Sequence, residues 1–300
     1  MATDDLRLRD ASAVLDKAAA ENFPVAPFFL PRAWRDDLMA VYGVVRLIDD
    51  IGDGDLAPEA GHARYLGLDP ADAPADPPRL LDAVEADLGK LFDGGAPGHP
   101  LVRALRPTAD RGAVTITPFL DLIAANRQDQ HVTRYDTFDD LVAYCALSAN
   151  PIGRLVLAIT GTATPERLRL SDAVCTGLQI VEHLQDVAED LRRDRIYLPI
   201  EDMSRFHVSE ADLAAPTAGA SVRALVAYET ERARCLLNEG TPLVGSVHGR
   251  LKLLLAGFVA GGKAAAHAIV AAGYDVLPGP PKPTKPRLLR EAGAVLRGEG

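Results

Sequence analysis

Apolar side chains recur every three to four positions along most of the chain, and the strict alternation that marks a strand is scarce. This periodicity predicts helices over residues 5–20, 33–52, 79–92, 100–110, 117–130, 137–160, 166–193, 219–239, 246–272 and 285–297. Breakers fall between them: Pro24 and Pro27, the Pro-rich stretch 70–78, Gly94-Gly95, Pro97-Gly98, Pro107, Gly161, Pro199, Pro216 and Pro242. Residues 69–78 read as a surface loop without chemistry, and PGPPKPTKP from Pro278 to Pro286 as an extended polyproline-like segment. No repeat of fixed period is present, and nothing mid-chain has the composition of a linker. The pattern predicts an all-α fold, with one domain over residues 1–277 and a Pro-rich basic tail over 278–300.

The most apolar long stretch runs from Leu251 to Tyr274, yet Lys252, Lys263, His267 and four glycines interrupt it. It reads as a buried or kinked core helix and not as a membrane span. The opening MATDDLRLRD is polar and acidic, unlike a signal peptide. Cys145, Cys175 and Cys235 are dispersed and odd in number, which suits a reducing cytoplasm and offers neither a zinc pattern nor a disulfide framework. The expected setting is cytoplasmic, with loose peripheral contact to a membrane left open.

A net charge of −10 argues against nucleic acid as a partner. Some of that negative charge is concentrated in two runs, Asp49-Asp50-Ile-Gly-Asp53 and Glu182-His183-Leu-Gln-Asp186-Val-Ala-Glu189-Asp190. At helical spacing Tyr42, Arg46, Asp49/Asp50 and Asp53 share one stripe, and Gln179, Glu182, Asp186 and Asp190 share another. Stacked like charges repel by a few tenths of a kcal/mol per pair, roughly, and a hard cation bound by carboxylate oxygens relieves that cost. Mg²⁺ held this way would also explain how so acidic a protein could grip a diphosphate. The plain alternative for the first run is that Asp50, Asp53 and Asp55 cap and solvate a helix end near Gly52 and Gly54. For the second it is a surface helix laced by ion pairs such as Glu189–Arg193.

These runs and their flanks resemble the squalene/phytoene synthase family of isoprenyl diphosphate enzymes. The matching strings are Tyr42-Gly-Val-Val-Arg46-Leu-Ile-Asp49-Asp50-Ile-Gly-Asp53, then Gln185-Asp186-Val-Ala-Glu189-Asp190-Leu191, Arg195-Ile-Tyr197-Leu-Pro199, and Tyr135-Asp136 through Tyr144-Cys145. Two further strings, Glu21-Asn22-Phe23-Pro24-Val25 and Ser148-Ala-Asn150-Pro-Ile-Gly153-Arg154-Leu155, are similar to the hydroxysqualene synthase branch of bacterial hopanoid biosynthesis. The resemblance implies a helical bundle around a central apolar cavity, and Mg²⁺-dependent loss of diphosphate from presqualene diphosphate, with water capturing the cation to give hydroxysqualene. It implies several Mg²⁺ on Asp49, Asp50, Asp53, Glu182, Asp186 and Asp190, with Tyr42, Arg46 and Tyr135 at the reaction. Phe23, Arg46, Arg154, Gln179, Arg195 and Tyr197 would contact substrate or its diphosphate. For Arg154 a structural ion pair is an equal alternative; for Tyr42, Tyr135, Tyr144 and Phe23, which could line the cavity, plain core packing is the commoner role of an aromatic at helical spacing.

The departures point the same way. Relatives that condense two prenyl diphosphates carry Ser-x-Ser-Phe near the N-terminus, where this chain has Ala20-Glu21-Asn22-Phe23. An acidic Glu21 is a poor host for a second diphosphate. Glu182 stands where the family usually has asparagine, and Gly262 where it has a late tyrosine. No Gly-x-Gly-x-x-Gly fingerprint is present, so no nicotinamide cofactor is expected. The rival readings are a prenyltransferase joining two prenyl diphosphates or prenylating another acceptor, and a helical scaffold without activity. His131, His183 and His267 read as surface or satisfied core histidines. Gly261-Gly262 reads either as a tight helix contact or as room for substrate.

Overall fold

The computed structural model describes residues 25–56, 61–69 and 76–298. Among them no strand forms, and the one bridge, between Arg134 and Ile196, is isolated. The fold is all-α, as the periodicity predicts. The chain divides into two compact units, residues 1–131 with 154–163, and residues 132–153 with 164–300. The expected helix over 5–20, together with Phe23, Glu21 and Asn22, lies outside the described residues.

In the first unit, α1 (Arg32–Gly52) packs against α2 (Pro77–Phe92) and α3 (Thr117–Gln128). Pro31 sets the start of α1, since proline is tolerated at a helix entry and not inside it. Val44, Leu47 and Ile48 along α1 are wholly buried. Asp76 caps α2, accepting from the Arg79 amide, with Pro77 in the first turn. Two buried carboxylates in this unit are plainly structural. Asp87 accepts from the Gly98 and His99 amides at 2.7 and 2.8 Å, and Asp37 accepts from Thr108 Oγ1 at 2.6 Å and pairs with Arg111.

In the second unit, α4 (Phe138–Ser148) is opened by a capping box between Thr137 and Asp140. After it comes α5 (Asn150–Ile159), whose last six residues belong to the first unit. The run expected as one helix over 137–160 is therefore two, because Pro151 lacks an amide hydrogen and disfavours α geometry just before it. The run expected over 166–193 is likewise two, α6 (Pro165–Gln185) and α7 (Val187–Arg192), with Asp186 at φ −104° and ψ 11° between them. Then follow α8 (Ala220–Gly240), α9 (Gly249–Ala271) and α10 (Lys285–Arg297).

Glycines let these helices touch. A Cβ on Gly240 would stand 2.6 Å from the Leu170 carbonyl oxygen, and one on Gly262 would stand 2.6 Å from Leu178 Cδ2. So α8 and α9 lie against α6 with no room for a methyl group, and Gly262 marks a tight helix contact. Two helical stretches, Phe138–Ile159 and Gly249–Ala271, are apolar and long enough to cross a membrane by length and composition alone. Within the second, 61% of the most apolar window is buried, as a core helix would be. The extended segment after Pro278 leads into α10, which packs on α9.

Candidate active site

The C-terminal end of α1 carries the first acidic run. Asp50 is buried and pairs with Arg46 one turn earlier, Nη2 to Oδ1 2.7 Å. Asp49 accepts a long hydrogen bond, 3.3 Å, from Asn126 Nδ2, whose other bond goes to the Leu122 carbonyl at 3.0 Å. Asp53 is the C-cap and stands exposed with Asp55, as the capping alternative expects of those two. The helix end is clamped on its other side too: Gln130 Nε2 donates to the Gly52 carbonyl at 2.9 Å. A Cβ on Gly52 would collide with Asn126 Oδ1 at 1.8 Å, so only glycine allows this approach. Desolvation pushes the Asp49 carboxyl up to about 7, against the pull of Asn126 and Arg46.

The second acidic run is stepped by the break at Asp186, yet its four-residue spacing survives. The Asp186 amide donates to the Glu182 carbonyl at 3.0 Å and the Asp190 amide to the Asp186 carbonyl at 2.8 Å. Asp190 is pushed up to about 7, first by burial and then by Asp186, and Asp186 is raised by burial and by Glu189. Asp190 Oδ2 is buried with no hydrogen-bond partner. Glu189 pairs with Arg193 at 3.6 Å, as expected from its spacing. Arg195 turns back so that its amide meets the Asp190 carbonyl at 2.9 Å, and its charge offsets part of the rise at the Asp190 carboxyl.

That return depends on a residue the sequence does not advertise. Asp194 sits at φ 58°, a conformation costly for a non-glycine residue. Arg134 holds it there, donating to the Asp194 carbonyl at 2.6 Å and its carboxylate at 2.9 Å while also gripping Glu210 at 2.9 Å.

Beside this run lies an aromatic cluster. Tyr135 and Tyr144 are buried, with ring centroids 5.3 Å apart, and Tyr197 stacks at 5.8 Å from the first and 5.7 Å from the second. His183 lies flat on Tyr197, centroids 3.7 Å and planes 10° apart. Burial, then the charge of Arg195, lowers the His183 pKa to about 3, so its ring is neutral, and it bonds to Gln179 Nε2 at 3.2 Å. It is a satisfied core histidine, as expected. A small pocket lined by Leu141, Ile180, His183, Leu184, Tyr197 and Glu229 adjoins the stack.

Of the remaining candidates, Tyr42 lies half-buried on α1 and Glu182 is exposed at the end of α6. Arg154 pairs with Asp121 at 3.8 Å, the structural alternative expected for it. In the same string, Asn150 accepts from Thr176 Oγ1 at 3.0 Å, and a Cβ on Gly153 would strike Ser171 Oγ at 2.2 Å. Packing therefore accounts for much of the Asn150-to-Arg154 string. Among the described residues no three His, Cys, Asp or Glu side chains are gathered closely enough to form a metal cage. The donor chemistry nonetheless suits a hard cation: carboxylate oxygens only, one of them buried without a partner, three held protonation-prone by desolvation and mutual repulsion.

Comparison with known proteins gives these features a setting. The family profile described as squalene/phytoene synthase matches residues 16–288. The chain is 32% identical to a hydroxysqualene synthase of Rhodopseudomonas palustris over 228 residues, 76% of this chain and 71% of that one. It is 32% identical to a phytoene synthase of Arthrospira platensis over 228 residues, 72% of this chain and 68% of that one. The crystal structure of a squalene synthase from Alicyclobacillus acidocaldarius superposes with a TM-score of 0.76 at 39% identity, covering 88% of this chain and 94% of that one. A dehydrosqualene synthase crystallised with a ligand gives a TM-score of 0.80 at 22% identity, over 98% and 97%, a likeness of fold alone.

Proposed function

Since the chain belongs to the squalene/phytoene synthase family, whose enzymes act on prenyl diphosphates, we propose that it converts presqualene diphosphate to hydroxysqualene, releasing diphosphate and capturing water. The observation that carries this reading is the replacement of the phosphate-binding Ser-x-Ser-Phe by Ala20-Glu21-Asn22-Phe23 in a chain whose two acidic runs are intact. Hydroxysqualene synthases among the relatives support it, and a place in hopanoid or squalene biosynthesis follows from it. The phytoene synthase relatives support the second reading, head-to-head joining of two prenyl diphosphates. The protein is read as cytoplasmic, touching a membrane only peripherally.

Asp49, Asp50 and Asp53 of one run, and Glu182, Asp186 and Asp190 of the other, are the residues that would hold Mg²⁺. When bound, the ions neutralise charge on the departing diphosphate. Arg46 and Arg195 supply guanidinium forks for diphosphate oxygens, and Arg46 is kept in place by its pair with Asp50. Tyr135, Tyr144 and Tyr197 form an apolar wall whose π faces stabilise a carbocation and keep stray water away. Neutral His183 under Tyr197 adds no competing positive charge to that wall.

The test is product analysis by mass spectrometry, with Mg²⁺ and presqualene diphosphate in one arm and farnesyl diphosphate with NADPH in the other. Hydroxysqualene from the first arm alone is the expected result. Squalene or a condensed diphosphate from the second arm would move the protein to the condensing branch.

A further inference from the structure

Helix α10 shows two different faces. One buries Val295 and packs on α9. The other, continuing from the preceding loop, exposes Lys282, Lys285, Pro286, Leu289 and Arg290, and the helical members fall at spacings of one, four and five residues, a single stripe. Leu289 is 75% exposed, unusual for a large apolar side chain. Among the described residues, none of Lys282, Lys285 and Arg290 takes an ion pair. The acid within this helix, Glu291, is turned aside to pair with Arg287 and faces Lys263 of α9. Between residues 278 and 298, five Lys or Arg stand against that one acid, a local charge of +4 in a chain whose net charge is −10.

We infer that this stripe docks the protein on an anionic lipid bilayer. Its cations match lipid phosphates, while Leu289 standing among them matches the acyl boundary just beneath, which a folded acidic protein would not offer. The negative balance of the rest of the chain keeps nucleic acid away and turns this one face toward a negative surface. Each Lys or Arg near such a surface strengthens binding about five-fold, so these three favour an anionic over a neutral bilayer by about a hundred-fold. Screening by salt weakens the attachment, so it is reversible. A reversible dock of this kind delivers the enzyme to the phase in which long prenyl chains dissolve. The inference deepens the peripheral contact proposed above and does not depend on the reaction, since lipid binding is read without substrate.

The experiment is flotation of the full chain with vesicles of phosphatidylcholine, with and without a third of phosphatidylglycerol. Retention on the anionic vesicles only, released by about 0.5 M salt, is expected. Lys285→Glu with Arg290→Glu should abolish it, and Leu289→Asp should weaken it, with circular dichroism unchanged because all three positions are exposed. Arg290→Glu alone should lower retention at least about ten-fold, whereas Arg64→Glu, the same charge change at an exposed site elsewhere, should not. Equal retention on neutral and anionic vesicles, or equal loss from Arg64→Glu and Arg290→Glu, would overturn the assignment. So would a dimer that the double variant dissolves without any lipid retention in the original chain. A protein that floats yet leaves presqualene diphosphate untouched would keep this inference and lose the reaction, and the reverse result would do the opposite.

Discussion

Carboxylates in this protein fall into two sorts, and their surroundings tell them apart. Asp37 and Asp87 are buried with every visible demand met by backbone amides, a hydroxyl or an arginine. For Asp49, Asp186 and Asp190 burial outweighs whatever neighbours offset it, and their pKa values are raised. If these carboxylates hold Mg²⁺ as proposed, replacing Asp49 or Asp186 by Ala should cost at least about 10²-fold in turnover while leaving the fold intact, since each change removes a proposed metal ligand. Wild-type activity of either variant, or of the protein in excess EDTA, would contradict this. Glu182→Asn, which restores the family's usual residue, should keep partial activity. Asn126→Ala removes a support of Asp49 rather than a ligand, and outer supports of this kind are worth about 10–100-fold in metal affinity or activity. Titration calorimetry with Mg²⁺ and diphosphate would measure that loss.

Glu229 offers a pH test at the same scale. It lines the small pocket beside His183, its Oε2 has no partner, and burial raises its pKa to about 8 despite Arg232. The native state thus holds a proton that the unfolded chain releases near its ordinary value of 4.5. Glu229 therefore favours folding fully below about 4.5, loses that contribution as pH rises toward 8, and stays at its least favourable above. Glu229→Gln keeps the neutral form at every pH. Its melting temperature relative to the original chain should rise between about pH 5 and pH 8.5, and a pH-independent difference would contradict the account.

Among the elements, long amphipathic helices were legible almost to the residue, and the reason is physical. Arg32–Gly52, Ala220–Gly240 and Lys285–Arg297 each bury one face, so period and boundary both leave a trace in the sequence. The break at Ala149 was legible in Pro151 but is masked by the apolar run around it. The break at Asp186 carries no proline or glycine, so it is imposed by the fold around it. Single turns such as Ile200–Arg205 and Glu210–Leu213 are too short to show a period at all. In the site, residues in motifs were legible, whereas Asn126, Gln130 and Arg134 were not, because an isolated amide or arginine shows its purpose only through its partners. Element packing gives its own prediction. Gly240→Val would drive a side chain into the Leu170 backbone, and forced overpacking of this kind costs about 1–3 kcal/mol or more. Denaturant unfolding would show it, and an unchanged midpoint would mean that α6 and α8 yield more readily than their contact suggests.

For the whole molecule, the family assignment and the all-α fold converge from independent directions, from the motifs and from the likeness to solved structures. The two compact units carry one acidic run each, and both have apolar cores that do not draw on the carboxylates. Chelating Mg²⁺ should therefore leave helicity unchanged by circular dichroism, while Mg²⁺ with diphosphate should raise the melting temperature by mass action. Collapse of helicity in chelator would contradict this. The central claim is that water, not a second prenyl diphosphate or a hydride, completes the reaction. Incubating the protein with presqualene diphosphate and Mg²⁺ in ¹⁸O-labelled water tests it most directly. One labelled oxygen in the hydroxyl of a C30 alcohol is the expected result, and an unlabelled hydrocarbon formed in its place would contradict the account.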